Sequence, residues 1–179
     1  METFAPPREF VRHARYRADR RTALAALDLS AIDTPIVDVV EGFAALPHCF
    51  TLSCCHGHFI CSPDQDPRSL EPVPPGHPGL IRYRIAYLAL CIEDSPHGHV
   101  LRESLARVPA IDPDTVQFGS PTWFSRRWPR FNCYALQVEP ARFMDKDEAM
   151  LEHEEAVRVQ RTRDRFFAEL RTLLRAERT

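Results

Sequence analysis

The sequence predicts an α+β fold: a mixed or antiparallel sheet packed by an N-terminal helix pair and a long C-terminal helix. Three observations predict it. Residues 81–92 alternate with period two in mid-chain. Apolar residues at helical spacing occur near both ends. The element order, α-α-β-β-β-α-β-β-α, lacks the regular strand–helix alternation that builds a parallel sheet. With 179 residues, the chain fits a single domain spanning 1–179. A domain of this size buries roughly 70% of its unfolded surface, so neither a disulfide nor a metal is needed merely to fold.

The elements follow in order. Pro6 and Pro7 suit the first turn of a helix reaching Leu27, with Phe10, Ala14, Ala18 and Leu24 as a partial apolar stripe. Residues 28–33 connect. Asp33 or Thr34 can then cap a second helix with Pro35 near its start; its face is Ile36, Val37, Val40, Phe43 and Ala44, and Pro47 stops it. Phe50 to Cys54 reads as a strand, His56-Gly57-His58 as a tight turn or bulge, and Phe59 to Cys61 as extended chain. Residues 62–79 hold six prolines and predict a Pro-rich exposed loop. From Ile81 through Ile92 a strand is predicted, its second half apolar on both faces. Val100, Leu101, Leu105 and Val108 mark a helix that Pro109 ends. Thr115 to Phe118 forms a short strand, 119–130 an aromatic and basic loop, and Phe131 to Val138 the next strand. Asp145 can cap the final helix, which runs to about Ala176.

Composition excludes several classes. Hydrophobic residues are 44%, charged 27% and aromatic 9%, which are globular values. A net charge of −2 predicts neither a nucleic-acid binder nor a membrane-surface binder by bulk charge. Among the 23 basic residues a single one is lysine, Lys146. Arginine offers bidentate hydrogen bonding that lysine does not, although codon bias is the weightier explanation of such a skew. No apolar run is long enough for a transmembrane helix, and Met1 to Arg21 lacks the apolar core of a secretory signal. Four of the six cysteines crowd into thirteen residues, unlike a spaced disulfide framework, so a cytoplasmic protein with reduced thiols is expected.

Three constellations can carry chemistry. In Phe50-Thr51-Leu52-Ser53-Cys54-Cys55-His56-Gly57-His58 a strand breaks at glycine among hydroxyl, thiol and imidazole groups, and such a break can hold an anion or a nucleotide edge. The same stretch offers metal ligands, with Cys54, His56, His58 and Cys61 as the set for zinc or another transition metal. Cys54, His56 and His58 share one face if the pleat survives the glycine, but the spacing matches no standard zinc framework. Equally, the cysteines can be small buried hydrophobes. His97-Gly98-His99 lies beside a helix start, where an ordinary Ser95-Pro96 cap explains it better than a ligand pair does. Trp123, Arg126, Arg127, Trp128 and Arg130 combine aromatic faces with guanidinium groups, the pairing that stacks on bases and holds phosphates; a loop that packs its Trp residues on the core accounts for it equally. No Gly-rich phosphate loop, nucleophile elbow or H-E-x-x-H sequence occurs.

The run Leu27-Asp28-Leu29-Ser30, a helix, and then Phe50 through His58 resembles the tRNA wybutosine-synthesis protein 3 family. Members of that family read L-D-x-S, a helix with an acidic start, then F-T-T-S-S-C-x-G-R-I. Phe50, Thr51, Ser53, Cys55 and Gly57 match, while Leu52, Cys54 and His58 stand where the family has Thr, Ser and Arg. Tyr134-Ala135-Leu136-Gln137-Val138 is similar to the family's F-V-L-H-V strand, with Gln137 at its His. The family's late Gly/Ser/Arg motif has no counterpart in Arg161 to Leu174, and 119–130 looks like an insertion. The resemblance implies an α+β fold, a cytoplasmic location, and S-adenosylmethionine-dependent methylation of a modified guanosine in tRNA. It implies catalytic roles for Ser53, Cys55 and His58 and cofactor contacts from Thr51, Gly57 and Gln137, with the aromatic–Arg loop holding the RNA by its own composition. The alternatives are a Cys/His metal protein and a non-catalytic relative of the same fold.

Overall fold

The computed structural model of the protein describes residues 5–120, 132–140 and 148–177. Its elements are α1 (Tyr16–Ala25), α2 (Val37–Ala45), β1 (Cys49–Cys55), β2 (His58–Ile60), β3 (Ile81–Arg84), β4 (Ala86–Ile92), α3 (Pro96–Arg107), β5 (Val116–Gly119), β6 (Cys133–Val138), β7 (Glu148–Leu151) and α4 (His153–Ala176). The fold is α+β. Among the described residues every strand pairing is antiparallel, in a four-stranded sheet ordered β1-β4-β6-β5 and a three-stranded sheet ordered β2-β3-β7.

The two sheets share one bent ribbon. Cys55 lies opposite Tyr87 in the first sheet, and three places on, His58 lies opposite Arg84 in the second. The register is thus continuous while the ladder breaks at Gly57 on one strand and Ile85 on the other. The single strand expected over 81–92 is therefore two strands in two sheets. Unbroken apolar alternation hid the break, because Ile85 is buried at the bend as it would be in a strand. Tyr83 pins the bend: its hydroxyl donates to Val138 O at 2.9 Å and accepts from Ala86 N–H at 2.9 Å. Tyr83→Phe removes both of these buried hydrogen bonds. It is expected to cost roughly 1–2 kcal/mol in urea unfolding; an unchanged midpoint would show the bend is held otherwise.

The core lies between the sheets and the helices. Val39 and Phe43 of α2 and Val159, Phe166 and Leu170 of α4 meet Leu88, Leu90 and Leu136 in one buried cluster. Arg20 of α1 donates to Ala44 O, Leu46 O and Cys49 O, satisfying carbonyls that the end of α2 leaves open. Tyr16 packs on Phe50 and Cys91, against the other face of β1 and β4.

Three boundaries differ from expectation. The first helix begins at Tyr16, not near Pro6. Residues 8–11 instead lie along β6: Asn132 makes two hydrogen bonds to the Val11 backbone, and Tyr134 OH donates to Arg8 O. These partners satisfy backbone groups that a sparsely apolar helix would have to pair by itself. The last helix starts at His153, after a short strand at 148–151; Asp145 lies outside the described residues. Helix α3 starts at Pro96, with Ser95 Oγ accepting from Gly98 N–H as its cap, so the His97–His99 pair belongs to the first turn.

Candidate functional site

The break at Gly57 builds the site. Gly57 has φ +89°, a backbone region that L side chains rarely adopt. A Cβ there would stand 2.8 Å from Ala86 Cβ and 3.1 Å from Ala86 N across the ribbon. In an unbroken pleat Cys55 and His58 would point to opposite faces. The left-handed turn brings them together, and Asp33 meets them from the turn preceding α2. Ligand atoms of Asp33, Cys55 and His58 all lie within 4.8 Å of one another.

The hydrogen bonds fix the charge of this cluster. His58 Nδ1 lies 3.1 Å from Ser69 O, and Nε2 lies 3.4 Å from Asp33 Oδ2. Both neighbours are acceptors, so only the imidazolium, with an N–H on each nitrogen, satisfies both. The Asp33 bond and a hydrogen bond with Cys55 accordingly push the His58 pKa up to about 10, against the opposing effect of burial. Burial also works against ionised Asp33, but its hydrogen bonds from His58 and from His56 N–H (2.8 Å) outweigh it and hold the carboxyl below its ordinary range. Gly57 N–H donates to Cys55 Sγ at 3.4 Å, directing the sulfur at the turn.

This cluster floors an open cleft of about 910 Å³. One wall is the segment from Ala31 to Asp33. The opposite wall is the ribbon's bend, Arg84, Ile85 and Tyr87, with Glu148 and Met150 of β7 beside it. Arg68 closes the cleft from the long loop. Arg84 is held 3.8 Å from Glu148 and donates to Pro67 O. The volume suits a nucleoside-sized guest, since ligand pockets run roughly 300–1,000 Å³. Two guanidinium groups, two carboxylates and an aromatic ring give it both polar and stacking contacts.

In fold, the chain is similar to the PH1069 protein from Pyrococcus horikoshii. One solved structure of that protein matches with a TM-score of 0.57 at 10% identity, covering 91% of this chain and 95% of that one. A second, from Pyrococcus horikoshii OT3, matches with a TM-score of 0.50 at 10% identity over 93% and 96%. At that identity the likeness to PH1069 is one of fold alone. No family model and no curated protein matches the chain.

The residues singled out in the sequence divide. Cys54, Cys55 and His58 line the cleft, and Gly57 shapes it without lining it. Ser53 reaches the cleft indirectly, its hydroxyl 2.8 Å from the Tyr87 hydroxyl. Gln137 sits opposite Tyr87 in the sheet but is buried, with Nε2 3.5 Å from Glu139. Thr51 lies opposite Leu90, away from the cleft. Of the metal set Cys54, His56, His58 and Cys61, the turn at Gly57 leaves Cys54 and His58 on the cleft while His56 and Cys61 lie outside its lining. His56 turns to stack on Phe167, and burial together with nearby Arg163 pushes its pKa down to about 4. Cys61 starts the long loop, with its N–H bonded to Gln65. His99 pairs with Asp94 at 2.9 Å and stacks near Phe10, while His97 stacks on His48. Trp123, Arg126, Arg127, Trp128 and Arg130 lie outside the described residues.

Asp33 was legible only as a helix cap. It does occupy that position, but its side chain makes no cap hydrogen bond and turns to the histidines instead. A carboxylate some twenty residues before a His-Gly-His turn is the only signal the sequence carries of this pairing. Arg68 had none, being an ordinary loop arginine; Arg84 was legible only, with Arg82, as a strand arginine that could extend the aromatic and basic patch if the strands lie adjacent.

Proposed function

We propose that this chain is a cytoplasmic tRNA-modification enzyme that methylates a modified guanosine with S-adenosylmethionine, and that the cleft over Cys55 receives the reacting groups. The observation that carries this is that the motif positions of Cys55 and His58 meet, through the turn at Gly57, in one cleft of nucleoside size lined also by Arg68 and Arg84. The donor set fits S-adenosylmethionine: Arg68 or Arg84 would take its carboxylate, Glu148 its ammonium, and Tyr87, Ile85 and Met150 its apolar parts. That molecule supplies a methyl group already activated on sulfur. The protein's share is then to orient the guest and exclude water. His58 has both N–H groups engaged and cannot accept a proton, so it acts as a positioning residue for Cys55 and the turn. The thiol of Cys55 faces the guest as a hydrogen-bonding group.

Calorimetric titration with S-adenosylmethionine and anisotropy with labelled tRNA test this reading. Both should bind, and Arg84→Ala should weaken the S-adenosylmethionine titration about tenfold, the loss of one charge-assisted hydrogen bond. Binding of neither would overturn it.

The Asp33–Cys55–His58 cluster supports a second reading, a metal centre. It offers one oxygen, one sulfur and one nitrogen ligand with an open side toward the cleft, the plan of a catalytic zinc site. Zinc would have to displace the Nε2 proton of His58 and the thiol proton of Cys55, so its uptake should release protons and tighten as pH rises. Stoichiometric metal in untagged protein would favour this reading over the first.

A further inference from the structure

A pair of thiols lies farther along the face of the first sheet that carries Tyr87, and neither reading above uses it. Cys91 of β4 stands directly opposite Cys133 of β6. The neighbouring bond, Ile92 N–H to Asn132 O at 3.0 Å, identifies Cys91–Cys133 as a non-hydrogen-bonded pair. In such pairs the Cα atoms approach to about 4.5 Å and the side chains meet, within the range a disulfide spans. The two thiols already share a hydrogen bond. An imidazole attends them: His13 Nδ1 lies 4.0 Å from Cys91 Sγ, and its Nε2 lies 2.9 Å from Asp19 Oδ2. The carboxylate keeps the proton on Nε2, leaving Nδ1 as an acceptor aimed at sulfur.

We propose that Cys91 and Cys133 form a peroxide-reactive dithiol that closes to a reversible disulfide, with His13 and Asp19 as its proton relay. Cys133 is the half-buried member and Cys91 is 2% exposed, so a small hydroperoxide reaches Cys133 first. Donation from Cys91 also lowers the pKa of Cys133, which favours its thiolate. The Cys133 sulfur attacks one peroxide oxygen, the O–O bond breaks, and a sulfenic acid and one water form. Cys91 then passes its proton to His13 and attacks the Cys133 sulfur. The S–S bond forms, the S–O bond breaks, and the departing hydroxide takes the proton from His13 as a second water. Two electrons leave the thiols and reduce one peroxide.

The experiment treats the full chain with hydrogen peroxide, alkylates the remaining thiols and maps the peptides by mass spectrometry. A Cys91–Cys133 cross-link that dithiothreitol reverses is expected. Cys91→Ser should leave Cys133 as a sulfenic acid that dimedone traps. His13→Gln should slow cross-linking severalfold and flatten its pH profile without abolishing it, a change that loose packing alone would not produce. Oxidation confined to Cys54, Cys55 or Cys61, or Cys133 passing to sulfinic acid while Cys91 stays reduced in the wild-type chain, would overturn the proposal. The wild-type map decides the matter even if Cys91→Ser does not fold.

Discussion

Gly57→Ala is expected to destabilise the protein by roughly 3–5 kcal/mol, combining the cost of a left-handed alanine with that of a core overlap. The overlap has no easy relief. The new methyl would meet Ala86 Cβ at 2.8 Å and the Ala86 backbone at 3.1 and 3.2 Å, and Ala86 is fixed by the Tyr83 hydroxyl. Arg163 adds a constraint by donating to Gly57 O at 3.1 Å from α4. Relaxing the turn would return Cys55 and His58 to opposite faces. Surviving protein should therefore also lose guest binding in the cleft. Chemical denaturation and calorimetric titration check both parts; a fully stable variant would show that the turn tolerates an ordinary side chain.

Asp33→Asn should cost roughly 2–4 kcal/mol at pH 6, the range for removing one partner of a largely buried pair. Its pH dependence is diagnostic. Folded His58 keeps its proton to about 10, whereas the unfolded chain releases it near 6.5. The contribution of His58 is thus complete below 6.5 and fades as pH climbs toward 10. Asp33, with its pKa lowered from 3.8, contributes fully above that value and loses its share as pH falls below it. The stability gap between wild type and Asp33→Asn should accordingly be widest between pH 4 and 6.5 and close toward both extremes. Thermal melts across pH check this; a gap that is constant with pH would mean the carboxylate acts by packing alone.

The α+β class was legible because periodicity survives in β3, α2 and the C-terminal helix, each of which buries a regular apolar face. What failed to show was the division of one alternating run into two sheets. Ile85 is apolar and buried at the bend, so hydrophobic pattern alone cannot mark it. The glycine of the His-Gly-His turn was visible as a hinge, but not its direction. Assuming an intact pleat groups Cys54, His56 and His58; the positive φ groups Cys55 and His58 and sends His56 to Phe167. Asp33 escaped notice because a carboxylate before Thr34-Pro35 has a sufficient local explanation as a cap. Its long-range partners exist only once the chain is folded.

The central claim is that the Gly57 turn lays His58 against Asp33 and Cys55 as a permanent cation on the floor of the cleft. Nuclear magnetic resonance of ¹⁵N-labelled imidazoles, followed from pH 5 to 11, tests it most directly. The account predicts that the His58 nitrogens keep imidazolium shifts through neutrality and titrate with a midpoint near 10. An ordinary titration near 6.5 would contradict it, and with it the geometry assigned to the cleft.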